Sequence, residues 1–198
     1  LYLARDSSRD RIVVLKLMRP DKAIEADLEP RFEREAQTLG RLQHPHIVAL
    51  YDSGKEGEDL FFTMEFVDGQ TLGTLVAGGA PEPHETMRII LELCDALQFA
   101  HEKGIVHRDI KPDNIVITSE NVIKLCDLGL IKQLEDTLSL TQTGLVVGTP
   151  YYISPEQGRG KKDLDIRSDM YSLGATLFHI ATMRVPFDGD EPLEVIER

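Results

Sequence analysis

Along the first 67 residues apolar side chains mostly alternate in short runs, whereas from residue 84 they recur mainly at steps of three and four. A period of two belongs to strands and a period near 3.6 to helices, so the chain must change architecture part-way along. Leu1 and Leu3 alternate with Tyr2 and Ala4 as the end of a strand. A polar turn over 5–11 leads to the β-branched run Ile12 to Leu17, which pairs back as a hairpin. Residues 25–42 place Phe32, Ala36, Leu39 and Leu42 on one helical face, and the pattern stops at His44-Pro45, where proline disfavours helix in the residue before it. Ile47 to Tyr51 and Leu60 to Val67 flank the charged, glycine-containing stretch 53–59 and read as an antiparallel pair. Next comes a long helix over 84–103, with Met87, Ile90, Cys94, Leu97 and His101 at helical spacing and Gly104 closing it. Ile115 to Thr118 and Val122 to Cys126 are short strands around a turn at 119–121, and 167–182 is a helix apolar on most faces, hence buried. Residues 129–165 show no periodicity; so long an irregular stretch in a compact domain usually carries function or moves. The expected fold is α+β: a small β-rich lobe over 1–67 and a larger helical lobe over 68–198, hinged near 65–70.

Composition narrows the function. The formal charge is 22 − 34 = −12, which argues against nucleic acid or an anionic membrane as a partner held by the bulk field. No stretch approaches the roughly 18 consecutive apolar residues of a membrane span. Cys94 and Cys126 form no CxxC pair, so a disulfide scaffold or zinc site is not expected, and both read as buried thiols in a reducing compartment. The opening Leu-Tyr-Leu, without an initiator Met or a signal peptide, suggests a piece of a longer protein.

The chemistry concentrates in His107-Arg108-Asp109-Ile110-Lys111-Pro112-Asp113-Asn114. A carboxylate, a lysine, an amide oxygen and an arginine fall within eight residues, and Asp127-Leu128-Gly129 follows 13 residues after Asn114 at a strand end. Asn114 and Asp127 offer two hard oxygen ligands of the kind Mg²⁺ takes. Taken singly, these residues also have plain structural readings. Lys16 could be a surface lysine at a strand end and Glu35 a solvated helix residue; Asp169 and Glu156 read as structural, His107 as a packing residue and Cys126 as a small buried hydrophobe. His44, His46 and His84 have no ligand spacing.

As a set, these segments resemble eukaryote-type (Hanks-type) protein serine/threonine kinases, and bacterial members most of all. HRDIKPDN and DLG are similar to the catalytic and metal-binding loops. Val13-Val14-Leu15-Lys16 resembles the VAIK strand, and Glu35, 19 residues later, stands where the family keeps the lysine's partner. Gly148-Thr149-Pro150 and Ser154-Pro155-Glu156 resemble the end of the activation segment, and Asp169 the aspartate that buttresses the catalytic loop. The resemblance implies a two-lobed kinase fold and ATP with Mg²⁺ (or Mn²⁺) as cofactors. Asp109 and Lys111 would act at the reacting phosphoryl group, Asn114 and Asp127 on metal, and Lys16 and Glu35 on the α- and β-phosphates. Adenine would lie among Val14, Met64, Glu65, Val67 and Val116, with Met64 as gatekeeper. Arg108 would receive a phosphate carried by Thr141 or Thr143, while Thr149 would touch Asp109 and Lys111. Partners would be protein substrates, with a kinase dimer for trans-autophosphorylation. The expected location is the cytoplasm, any membrane anchor lying outside this chain. The pattern is departed from in three places: the glycine-rich phosphate loop and the last helices of the large lobe are not in the sequence, and Leu128 stands where Phe is usual. A pseudokinase of the same fold and a small-molecule phosphotransferase of kinase-like fold remain as alternatives. The presence of Lys16, Asp109 and Asp127 argues against the first, and Arg108 with residues 130–156 against the second.

Overall fold

The computed structural model describes residues 1–18, 25–127, 150–161, 163–189 and 194–195. Strands β1 (Tyr2–Asp6), β2 (Arg11–Met18), β3 (Leu50–Glu56) and β4 (Asp59–Glu65) form an antiparallel sheet in the order β1-β2-β4-β3. Helix α1 (Glu25–Leu39) packs against it. In β4 alternation decides the facing: Leu60, Phe62 and Met64 point inward and are buried. Phe62 meets Phe32 of α1 in a tilted ring contact, centroids 4.4 Å apart. Each such buried ring contributes about 2–3 kcal/mol by area, so this pair anchors the helix to the sheet.

The large lobe begins with β5 (Gly69–Thr71) and α2 (Leu72–Ala77), followed by α3 (Pro83–Glu102), β6 (Ile115–Thr118), β7 (Ile123–Leu125), α4 (Pro155–Gly158) and α5 (Ile166–Thr182). Single 3₁₀ turns occupy Pro112–Asn114 and Pro150–Tyr152. β5, β6 and β7 make a second small sheet. Gly69 faces Thr118 across it so closely that a Cβ there would lie 2.3 Å from the Ile117 carbonyl oxygen, which restricts this position to glycine. Helix α3 ends in a Schellman motif, with Gly104 at φ 75° and hydrogen bonds from Gly104 N to His101 O and from Ile105 N to Ala100 O.

Two apolar clusters result. One joins the first sheet and α1 to Ala96, Ala100 and Ile105; the other joins α2, α3, β6, β7 and α5. Ala96 and Ala100 thus tie the long helix of the large lobe into the core of the small one. A backbone bridge does the same: Val48 N donates to Leu125 O at 3.0 Å and Leu125 N to His46 O at 2.9 Å.

Several expectations need correcting. α1 ends at Leu39 rather than 42, and the turn residues up to Leu42 complete its packing. β3 begins at Leu50 and runs through the polar residues assigned to the connection, leaving only a tight turn at Gly57-Glu58. β5 and α2 were not foreseen. Met87 points outward from α3, whose buried face is Ile89, Ile90, Leu93, Ala96, Leu97 and Ala100. α5 is buried on one face only, and that face is mixed: Ser168, Asp169, Ser172 and Thr176 are buried along with Leu173, Ala175 and Ile180, while Met170 and Phe178 are exposed.

Candidate active site

Asp169, in the first turn of α5, organises the site although it lies 60 residues beyond Asp109. Its carboxylate is fully buried and accepts three hydrogen bonds: from His107 N at 2.7 Å, from Arg108 N at 2.8 Å and from His101 Nε2 at 2.7 Å. Arg108 sits at φ 66°, a left-handed turn that costs a residue with a Cβ roughly 1–2 kcal/mol. Two charge-assisted bonds to consecutive backbone N–H groups hold that turn in place.

The turn aims Asp109. Asn114 Nδ2 donates to both Asp109 Oδ2 and Asp109 O at 2.8 Å, and Lys111 Nζ stands 3.3 Å from Asp109 Oδ2. Asn114 is fixed by the 3₁₀ turn, and its carbonyl accepts from Cys126 N at 2.8 Å, which sets Asp127 beside it. Asp127 is also left-handed, at φ 53°, and its Oδ1 lies 3.7 Å from Lys16 Nζ. Residues from β2, the turn at Arg108 and the end of β7 therefore converge. Both Nδ2 hydrogens of Asn114 are engaged with Asp109, so its amide oxygen is the group a cation would take. With the partly exposed Asp127 carboxylate it makes a hard-oxygen pair suited to Mg²⁺.

His107 locks the turn from inside. Its Nε2 donates to Cys126 O at 3.0 Å and its Nδ1 accepts from Asp109 N at 3.3 Å, an arrangement only the neutral Nε2–H tautomer satisfies. Complete burial pushes this ring below the ordinary 6.5, against the opposing pull of Asp169 and Asp109. Because the unfolded ring takes up a proton that the folded ring refuses, this contribution to stability is full above pH 6.5 and is lost as pH falls below it. We expect ring-nitrogen NMR shifts to report a neutral Nε2–H tautomer at about pH 6; a charged His107 ring there would contradict the assignment. Burial, with the Asp127 and Glu65 carboxylates, pushes the Cys126 thiol up to about 12, so it remains an uncharged packing group.

Glu35 is half-buried on α1, and its charge, with that of Asp169, favours the charged form of Arg108, whose guanidinium burial pulls down. Around the neighbouring cleft, Val14 pairs with Met64 between β2 and β4; Met64 is buried, whereas Val14, Val67 and Val116 are half-buried. The Glu65 carboxylate accepts from Ala49 N at 3.1 Å and pairs with Lys124 Nζ at 2.7 Å. Leu128, Thr141, Thr143 and Thr149 lie outside the described residues.

Four residues were missed or under-read in the sequence. His101 was counted as a helix-face position, but it steadies Asp169. Gln157 donates from Nε2 to the Arg108 carbonyl at 2.8 Å; its only sequence signal is the capping-box spacing Ser154-x-x-Gln157. His44 and His46, given no role, sit against Asp95 (3.2 Å) and Glu92 (3.4 Å) of α3 and fasten the loop between α1 and β3 to the large lobe.

The whole chain, residues 1–198, matches the family described as protein kinase domain. The chain is 44% identical over 200 residues to serine/threonine-protein kinase PknB of Mycobacterium leprae, covering 98% of this chain and 32% of that protein. PknB of Mycolicibacterium smegmatis is 45% identical with the same coverage. The chain thus spans about a third of the length of these curated relatives. Among solved structures, Rad53 1-466 in complex with AMP-PNP aligns over 98% of this chain and 47% of its own, with TM-score 0.77 and 28% identity. The PknI kinase domain of Mycobacterium tuberculosis aligns over 94% of this chain and 70% of its own, with TM-score 0.75 and 30% identity. The fold, the buttressed turn before Asp109 and these matches agree that the chain belongs to the protein kinase domain family.

Proposed function

We propose that the chain is the core of a protein serine/threonine kinase that transfers the γ-phosphoryl group of ATP to Ser or Thr hydroxyls of proteins. The observation that carries this reading is the convergence of Asp109, Lys111, Asn114, Asp127 and Lys16 on one spot, with the contacts given above. The acceptor oxygen forms a bond to the γ-phosphorus as the bond to the β–γ bridging oxygen breaks and ADP leaves. Asp109 orients that hydroxyl and takes its proton, and Lys111 offsets charge on the transferring group. Lys16, paired with Glu35 in the working state, holds the α- and β-phosphates. Asn114 and Asp127 would hold Mg²⁺ (or Mn²⁺), which supplies charge neutralisation on the phosphates. Adenine is read by the Glu65 carbonyl and the Val67 backbone, between Val14 above and Val116 below, with Met64 behind. The AMP-PNP named with Rad53 supports a nucleotide in this cleft.

The lobes divide at 67/68, so that this hinge also carries the adenine contacts. We place the domain in the cytoplasm, where ATP and protein substrates meet; no helix among the described residues is long and apolar enough to cross a membrane. Arg108 is the receiver for phosphate on Thr141 and Thr143, added in trans within a kinase dimer, because a phosphate's roughly −2 charge forms bidentate bonds with a guanidinium. Thr149 is not proposed as a site of modification. Mass spectrometry of fully active protein with Thr141 and Thr143 both bare would remove the regulatory part of this reading.

The nucleotide site is tested by calorimetric titration of the full-length protein with ATP. We expect Mg²⁺ to tighten binding in the wild type and to have at least about tenfold less effect in Asp127→Asn, which keeps the shape but removes the anionic oxygen. Equal Mg²⁺ dependence in the two proteins would show that Asp127 does not hold the ion.

A further inference from the structure

Gln157 is the third residue of α4, and its carboxamide is used at both ends. Oε1 accepts from Ser154 N at 3.2 Å and from Ser154 Oγ at 3.0 Å, while Gln157 N donates to Ser154 Oγ at 3.4 Å, closing a capping box. Nε2 reaches across 49 residues of sequence to donate to the Arg108 carbonyl at 2.8 Å. That carbonyl belongs to the peptide joining Arg108 to Asp109. A peptide is planar, so holding its oxygen also fixes the direction of the Asp109 N–H. This N–H goes to His107 Nδ1 at 3.3 Å, a long bond that does little to set the plane alone. The preceding peptide is already held by Asp169 Oδ1 at Arg108 N. Arg108 is thus clamped on both sides, by α5 at its N–H and by α4 at its carbonyl, while it occupies the left-handed turn that presents Asp109.

We propose that Gln157 is a positioning residue for phosphoryl transfer: it acts through the Arg108 carbonyl to set the aim of Asp109, and so couples the seating of α4 to turnover. The proposal rests on the reading of Asp109 as the proton acceptor. Geometry at the reacting centre is what such a contact controls, because small misplacements of a catalytic group lower turnover steeply.

Gln157→Glu separates the two ends of the side chain. A glutamate at this position still accepts from Ser154, since Ser-x-x-Glu is itself a capping box, but it cannot donate to the Arg108 carbonyl at neutral pH. Gln157→Leu loses both ends. The measurement is kcat, KM for ATP and Tm of the full-length protein and both variants, with Asp109→Asn in parallel. We expect Gln157→Glu to keep Tm within a few degrees and KM for ATP within about twofold while kcat falls about tenfold, and Gln157→Leu to lose similar kcat with a further fall in Tm. Wild-type kcat in Gln157→Glu, or a kcat that falls only in step with the folded fraction, would overturn the proposal and leave Gln157 a cap alone. Wild-type turnover in Asp109→Asn would overturn the reading of Asp109 and this proposal with it. Loss in Asp109→Asn beside wild-type turnover in Gln157→Glu would overturn this proposal alone.

Discussion

Asp169→Ala is expected to lower kcat by at least about 100-fold and to cost about 3 kcal/mol of stability. Alanine leaves the His107 and Arg108 N–H groups without their acceptor, and both bonds are short, at 2.7 and 2.8 Å. Orphaned buried donors cost roughly 1–3 kcal/mol each, partly offset because a carboxylate is no longer buried. The catalytic penalty has a separate origin. Without the Asp169 carboxylate the Arg108 N–H loses this acceptor on α5, and the turn at φ 66° relaxes toward ordinary backbone, moving Asp109. A displacement near 1 Å at a reacting group costs roughly 100-fold. Urea unfolding and steady-state kinetics on the full-length protein check the two numbers independently. Asp169→Asn should fall between, since one oxygen remains to accept while its amide N–H₂ faces a backbone donor. Wild-type kcat in Asp169→Ala would mean that the buried carboxylate holds the fold but not the catalytic turn.

Asp109→Asn is expected to show the opposite balance. Asparagine keeps an oxygen where Asp109 Oδ2 accepts from Asn114 Nδ2 at 2.8 Å, so Tm should stay within a few degrees of wild type. What it loses is the capacity to take a proton. Positioned general bases contribute roughly 10²–10⁴-fold, so kcat should drop within that range while KM for ATP changes little. A melt beside a single-turnover assay reads both. A variant that lost activity only by unfolding would assign Asp109 to structure.

The contrast between these residues explains what was legible in the sequence. Asp109, Lys111, Asn114 and Asp127 could be picked out because the proposed phosphoryl transfer calls for those side-chain types within a short reach, and a turn and a strand bring them together at short spacing. The strands were legible where alternation is strong, as in Leu60, Phe62 and Met64. β3 was misplaced because Asp52, Ser53, Gly54, Lys55 and Glu56 carry almost no apolar signal. They are strand because β4 offers a partner, through a register shift between Leu50 and Asp52. β5, three residues long, and α2, six residues long, are too short for periodicity to declare them. The buried face of α5 was misread for another reason. Its Ser168, Asp169 and Ser172 are buried because they bond Glu156, the catalytic turn and the Tyr152 carbonyl, partners remote in sequence. Gln157 and His101 were hidden likewise, since their roles depend on residues 49 and 68 positions away.

Protein phosphorylation by the Asp109 site is read out by following γ-labelled ATP with Mg²⁺ on the full-length protein, alone and with a generic protein substrate, with Asp109→Asn beside it. We expect acid-stable label on serine and threonine of both proteins, falling to background without Mg²⁺ and by roughly 10²–10⁴-fold in the variant. No transfer to protein by the wild type, or equal transfer by Asp109→Asn, would contradict it.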